Sequence, residues 1–549
     1  MLVRWTRTLS TPTRLQMQSG FLYCCGTLSR VAGMAIAATV ISSSLVVPAH
    51  AKDADAGQSQ WVYYNPSGRL QYRTLDTGDR ILDFSYAGYR GGGVAIPKLA
   101  VKNTVVPSGK DDSTAIQLAI DEVSRLPLKN GLRGAVLLRA GHFHCQQTLH
   151  IRTSGVSLIG SGTGQDDTVI EMTGDPHVAI EVRGERTIQS SNLTTTVADS
   201  YVHSGSMSLH VRDVSGFHSG DTVELKRPST PEWVHFMGMD TLVRNGKKET
   251  WVGADLTTER RIIAIKGKEL RFDVPLADSY DARYLGANGT TVTKIVHSGQ
   301  VEQVGIEGLR LVAPARKVTL NDKHFNGIQM KSVKDGWIRN VRLLNTTAPV
   351  NLDSDTRLVT VQKVDITQDI PLIGAAKAAD FSVDGTQILI DRCSATEDNV
   401  FYIATGARQQ GLNVVLHCVF HGNGHIQPHQ RWSTGLLVDS CQVPEGGIDL
   451  MNRGEMGSGH GWTMGWAVAW NNLASSYVIQ TPPGSANWGI GNRGEEKLAK
   501  MPTFDPGPEL PLLPQGILDS QDAPVMPASL YLEQLRERLG PKALKNIGY

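Results

Sequence analysis

The sequence predicts an all-β solenoid in which short parallel strands stack coil upon coil. Three observations carry this. First, a run of short apolar-rich segments recurs through the second half: "VGIEGL" to Leu309, "DGWIRNV" to Val341, "VTVQKV" to Val364, "ILIDRC" to Cys393, "NVVLHC" to Cys418, "GLLVDSC" to Cys441 and "VAWNNL" to Leu473. Second, their final apolar residues are separated by 32, 23, 29, 25, 23 and 32 residues, the irregular 20-to-30 spacing of a solenoid repeat. Third, each run alternates apolar and polar residues, so the aligned position points inward and stacks on its equivalents. Cys393, Cys418 and Cys441 then become neighbours in that stack, acting as small buried hydrophobes.

Taken in order, the chain opens on residues 1–51, which contain Arg4, Arg7, Arg14 and Arg30, no acid, and an apolar run from Val31 to Val47 before Ala49-His50-Ala51. That is the pattern of a signal peptide and not of a membrane span, and it implies a secreted or periplasmic protein. Met17 and Met34 are alternative starts. Removing the four leader arginines from 54 basic residues leaves 50 against 53 acidic ones, a formal charge of −3 with no basic excess for nucleic acid. The remaining cysteines, Cys145, Cys393, Cys418 and Cys441, form no CxxC pair, which excludes a disulfide framework or a zinc site as the main stabiliser.

Residues 52–184 read as an N-terminal cap and the first coils. "GKDDSTAIQLAID" (109–121) starts a helix, with Asp111, Asp112 and Ser113 as capping residues, and covers the open end of the solenoid. "GAVLLRAGHFHCQQTLHIRTSGVSLIGSGTG" (134–164) supplies strands broken by Gly and Ser turns. Between 185 and 300 the ladder lapses into hairpins, with Gly220–Leu225, Ile262–Ile265 and Leu270–Asp273 in the order of a compact, barrel-like β-rich insertion. The main coils occupy 301–505. In 506–549 a proline-rich strap precedes a helix over 529–540, stopped at Gly540-Pro541.

"DFSYAGYRGGGVAIP" (83–97), the "DDSTAIQLAI" helix and the strand ladder together resemble the pectate-lyase-like superfamily of right-handed parallel β-helix proteins, over roughly residues 75–505. The resemblance implies that fold and a carbohydrate-active protein. It does not name the reaction, because the superfamily includes lyases, hydrolases, epimerases and phage tailspikes.

Histidines fall at 417, 421, 425 and 429, a strict step of four. Gly422, Gly424 and Pro428 exclude a helix there, and in an extended chain such residues lie roughly 13 Å apart, too far to share one metal. Equal offsets from the inward position instead bring "PHQRW" (428–432) beside "MNRGEMGSGHGW" (451–462) at roughly 5 Å on adjacent coils. His425, His429, Arg431, Asn452, Arg453, Glu455 and His460 then share one patch. Trp432, Trp462, Trp466, Trp470 and Trp488 follow, five of the nine tryptophans beyond the leader within 57 residues. A flat indole face suits the C–H face of a sugar, so Trp432, Trp462 and Trp466 are expected to bind substrate, with Asn452 and Glu455.

Arginine with histidine and no paired acid fits β-elimination on a uronic acid polymer. Arg431 and Arg453 neutralise the carboxylate and the enolate-like dianion that develops from it. His429 is the expected base, with which His425 can exchange roles, and His460 the expected acid. No cofactor is required. Ca²⁺ is an open possibility at "VNLDSD", where Asn351, Asp353 and Asp355 alternate on an extended segment. Two alternatives stay open. One is a glycoside hydrolase of polygalacturonase- or rhamnogalacturonase-like type, given the Gly-His-Gly in "GSGHGW", although "HGNGH" stands where those relatives carry paired aspartates. The other is a non-catalytic carbohydrate-binding β-helix. The expected partner is an acidic polysaccharide.

Overall fold

A computed structural model describes residues 57–319, 321–370, 378–504 and 509–549. The signal-peptide reading of residues 1–51 lies outside them. The described residues belong to one compact unit, Asp55–Tyr549.

The principal sheet has 27 strands, every neighbouring pair parallel, and its registers trace successive coils. One inward column runs Ile306, Ile338, Val361, Ile390, Val415, Val438, Ala469. A second runs Ile180, Ile328, Val350, Phe381, Ile403, Ile426, Ile448. Leu309, Val341 and Val364 head a third, and all three columns belong to one continuous buried core. Branched aliphatic side chains suit such strands because both faces of each rung are covered by its neighbours.

The chain turns from the first column to the third through one residue per coil in the left-handed region. Gly308, Asn340, Lys363, Arg392, His417, Ser440, Asn471 and Gly491 have φ between 50° and 68°. Each immediately precedes a position of the third column. This single residue swings the strand round the corner while the residues on both sides stay inward. For an L-residue it costs roughly 1–2 kcal/mol, which stacking on the coils above and below offsets.

The three cysteines stack as expected, buried and unpaired, with the Cys393 amide donating to Cys418 Sγ at 3.4 Å. The last step differs from its expected value. Asp439 pairs with Trp470 and Gln442 with Leu473, so Asn472, not Leu473, sits above Cys441. Its Oδ1 accepts the Cys441 amide at 2.8 Å, and its Nδ2 donates to Val438 O and Asn492 Oδ1.

The four-residue histidine step dissolves in this geometry. His417 is a left-handed corner, His421 ends the strand Val419–His421, His425 begins His425–Ile426, and His429 lies in the following turn. No two of the four occupy equivalent positions.

The helix Ser113–Ser124 buries Ile116, Ala119, Ile120 and Val123 against the first coils. Asp111 Oδ1 accepts the Ser113 amide, whereas Asp112 caps nothing in the helix and instead accepts the Ser108 amide. The insertion hangs between two consecutive coils: Arg183 ends one strand, Val301 begins the next, and the Glu185 amide closes the stem on Gly299 O at 2.8 Å. A side chain at Gly184 would meet Gly299 O at 2.6 Å, so the stem admits only glycine. Between these ends, residues 187–298 form a six-stranded antiparallel sheet with its own core. Its edge strands, Thr187–Thr196 and Ser208–His210, are joined only by the Val197–Val211 bridge, so the lobe is an open sheet and not a closed barrel.

At the C-terminus, Leu530–Leu539 ends at Gly540 as expected, and a second short helix, Pro541–Asn546, follows at once. Buried Asp439 accepts Ser529 Oγ and the Tyr531 amide at 2.8 Å each, and Gln534 ties the helix to Leu82 and Phe84.

Replacing Asn472 by Ala strands the Cys441 amide and Val438 carbonyl in the core. We expect a loss of about 3 kcal/mol in urea unfolding, against roughly 1 kcal/mol for Cys441→Ala. An equal loss in the two variants would contradict the hydrogen-bonding role assigned to Asn472.

Candidate active site

Three consecutive coils meet at the corner between the second and first columns, through residues 405–410, 427–433 and 450–464. The expected equal-offset pairing of 428–432 with 451–453 is displaced. Asn452 and Trp462 form a bridge that closes a loop between them, and the Arg431 and Trp432 amides donate to His460 O and Trp462 O at 2.9 Å. The loop's far end is therefore the partner of 431–432. Arg453 at its near end still reaches back to His429.

That return brings four of the expected residues together. The His429 and His460 rings lie 4.6 Å apart. Arg453 Nη1 donates to His429 O at 2.8 Å and to His429 Nδ1 at 3.2 Å, and the guanidinium lies over the Phe401 ring. Arg431 Nη2 is held by Ser458 O and Oγ at 2.7 Å. Burial, then Arg453 and Arg431, lower the His429 pKa to about 4. Burial, then His429 and the nearby arginines, lower that of His460 to about 3. Burial also lowers Arg453 to about 10, against the opposing influence of Asp449.

These facts correct two expected roles. An arginine only donates, so the His429 nitrogen facing Arg453 must be the acceptor and Nε2 carries the proton. The lone pair a base needs is thus already engaged. His460 is neutral above about pH 4 and has no proton to deliver near neutrality. Its Nδ1 is buried without a partner among the described residues, and its Nε2 lies so close to Gly457 that a side chain there would clash.

His425 is placed differently. Its Nδ1 meets Asp449 Oδ2 at 2.6 Å, and the same oxygen accepts Gln427 Nε2 at 2.6 Å. Asp449 is buried while His425 keeps 35% of its side chain exposed. The contact with Asp449 raises the His425 pKa above 6.5 despite burial. Asp449 fixes the tautomer with hydrogen on Nδ1, so Nε2 carries the lone pair. Asp449 lies 24 residues beyond His425, one coil step, and that spacing is the sequence signal that locates it.

The remaining expected residues do not face this corner. Trp432, Trp462 and Trp466 are at most 3% exposed and lie at the junction with the insertion. Trp432 packs edge-on to Trp233 and Trp251, Trp462 Nε1 donates to Met237 O, and Trp466 Nε1 donates to Asp278. Asn452 is buried, its Oδ1 accepting the Gly454 amide, and Glu455 accepts the Phe504 amide, anchoring the strap. Both shape the loop and offer nothing to a ligand. Nor do Asn351, Asp353 and Asp355 share one side. The strand ends at Leu352, a turn begins at Asp353, and Asp355 pairs with Arg186 at 2.8 Å. Among the described residues no His, Cys, Asp and Glu group has the spacing of a metal site.

Sequence reasoning also missed a groove of about 360 Å³ between the insertion and the same corner on earlier coils. Arg186, Glu259, Asp355, Arg357, Asp384 and Arg408 line it. Arg186 and Arg357 are paired with Glu259. Burial, with Asp353 nearby, raises Asp384 to about 6. Arg408 is exposed, and its amide donates to Arg431 O at 2.9 Å, so the groove runs into the histidine corner one coil on. Arg408, Arg431 and Arg453 have no salt bridge among the described residues, and each lies on or beside the corner.

Stacked parallel coils with a lobe inserted at one corner place the chain among β-helical solenoids. No protein-family model matches the sequence, and no curated protein matches it. Solved structures similar to it include the tailspike protein gp49 of Pseudomonas phage LKA1, at 14% identity and TM-score 0.35, covering 70% of this chain and 69% of that one. Another is the tailspike of E. coli bacteriophage HK620 in complex with pentasaccharide, at 10% identity and TM-score 0.38, covering 81% and 62%. The Gp54 tailspike of Acinetobacter baumannii bacteriophage AP22, in complex with capsular saccharide, gives 10% identity and TM-score 0.25, covering 70% and 69%. At these values no residue of this chain is assigned through them.

Ring-proton NMR should show His425 titrating above pH 6.5 and His429 neutral down to about pH 4. Asp449→Asn should lower the His425 midpoint, because the hydrogen bond to Asp449 is the main cause of its rise. An unmoved His425 midpoint would separate it from Asp449.

Proposed function

We propose that the chain is a secreted polysaccharide lyase of the pectate-lyase-like, right-handed β-helix kind, cleaving a uronate-containing polymer by β-elimination. The observation that carries this reading is the His425–Asp449 dyad, whose Asp449 also acts on Arg453, an arginine with no salt bridge among the described residues. Asp449 holds Nδ1–H, and His425 Nε2 takes the proton from C5 of the uronate. The C5–H electrons form the C4–C5 double bond and the C4–O4 bond breaks. The imidazolium formed on His425 then supplies the proton to the departing O4. Arg431 and Arg453 stabilise the charge developing on the carboxylate, and neutral His429 offers Nε2–H as a further donor. Arg408 extends the cationic surface along the polymer.

A second reading rests on Asp384. Burial and the neighbouring Asp353 raise this carboxyl to about 6, so it holds its proton to a higher pH than an ordinary aspartate. Burial raises Asp353 as well, and two neighbouring carboxyls are the parts of a glycoside hydrolase.

Incubation with a panel of acidic polysaccharides distinguishes the two. A lyase produces ultraviolet absorbance from the new double bond. Reducing ends without that absorbance transfer the assignment to a hydrolase, and binding without cleavage to a carbohydrate-binding solenoid. His425→Ala should lower kcat by at least 10²-fold, the usual range for a general base, while Asp384→Asn should change it little. Because the base acts unprotonated and its pKa is raised, activity should climb with pH through a midpoint above 6.5. That limb should move to lower pH in Asp449→Asn.

A further inference from the structure

A second cavity, of about 200 Å³, lies at the junction of the insertion, the Leu75–Asp79 segment and residues 483–485. Trp233, Tyr284, Trp432 and Trp466 form its apolar walls, and Arg227 and Ser485 bring polar groups to it. Phe236 stacks on Tyr284 with ring centroids 4.1 Å apart, which fixes that wall.

The polar groups at its base are unevenly satisfied. Asp278 is engaged on both oxygens: Oδ1 accepts Trp466 Nε1 and the Ser279 amide, and Oδ2 accepts Trp432 Nε1. Asp79 accepts Tyr201 Oη and the Ser204 amide, and Asp281 is held by Arg283. Arg227 is the exception. It is 6% exposed, stacked on Trp233 at 4.2 Å, and its Nε lies 3.9 Å from Asp278, beyond hydrogen-bond reach. Its Nε and Nη1 have no partner among the described residues, and neither has Ser485 Oγ. Buried donors are rarely left unmade, because each costs about as much as a hydrogen bond is worth, and more when charged.

We propose that this cavity binds one neutral sugar ring, at a site separate from the histidine corner. The ring hydroxyls accept from Arg227 and Ser485, and the indole and phenol faces cover its C–H surfaces. The three carboxylates about the cavity, Asp79, Asp278 and Asp281, outnumber Arg227 and Arg283, so a uronate is disfavoured and a neutral hexose preferred. The site would hold a neutral residue or branch of a polymer whose acidic residues engage the arginine corner. The binding itself does not depend on the lyase reading.

Intrinsic tryptophan fluorescence of the whole protein reports directly, since three indoles line the cavity. Titration with glucose, galactose, mannose and N-acetylglucosamine should give a saturable change for at least one. Glucuronate should bind at least tenfold more weakly than the best of them. Ser485→Leu fills the cavity and removes no side-chain hydrogen bond; it should abolish the change while the circular-dichroism spectrum stays that of the parent protein. Arg227→Lys keeps a cation near Asp278 and should weaken binding tenfold or more; should that variant fail to fold, Ser485→Leu decides. No saturable change with any neutral sugar up to tenth-molar concentration overturns the proposal. So does binding that survives Ser485→Leu, or glucuronate binding more tightly than every neutral sugar.

Discussion

Parallel register between coils is the constraint on which everything else rests. It is maintained by one left-handed residue per turn, from Gly308 to Gly491, followed at once by an inward side chain. The corner residue varies freely, from Asn to Lys, Arg, His and Ser, because its side chain points away from the core. What cannot vary is the step after it, since a one-residue slip would turn every inward side chain outward. The loops at the opposite corner carry no such restriction. They range from a short turn at Asp353–Thr356 to the whole insertion between Arg183 and Val301, and the groove and histidine corner are both built from them.

This division explains what was legible in the sequence. The column Leu309, Val341, Val364, Cys393, Cys418, Cys441 could be read directly, because burial on all sides demands small or aliphatic side chains at each repeat. Its last member could not. Asn472 breaks the apolar pattern, and only the hydrogen bonds it makes to Cys441, Val438 and Asn492 show that a polar residue belongs there. The convergence of His429, Arg431, Arg453 and His460 was legible to within one loop. Their chemistry was not, since it depends on which nitrogen faces which donor.

The tryptophans show a different limit. Density of aromatic residues in turn-rich sequence reads as exposure when the covering element is out of sight. That cover is the helix Pro231–Phe236 with Met237, Met239 and Trp251, some 200 residues earlier, which seals Trp432 and Trp462 into a shared core. Asp278 completes the junction by accepting both Trp432 and Trp466, so the insertion is bonded to two coils through one buried carboxylate. The groove's far wall is thereby held fixed against the corner arginines.

Electrostatics then sorts the histidines into two kinds. His429 and His460 lie among arginines with no carboxylate in contact, and for a buried imidazole both influences favour the neutral form. His425 lies one strand away, yet Asp449 reverses the sign, because hydrogen bonding to the charged form outweighs burial. Of the three, His425 is therefore the one whose hold on a proton is strengthened. Arg408 and Arg431 sharpen the argument. They sit on adjacent rungs joined by the Arg408 amide and the Arg431 carbonyl, and like charges so placed disfavour one another. On the lyase reading proposed above, the carboxylates of a uronate chain are the partners that these unpaired guanidinium groups would take.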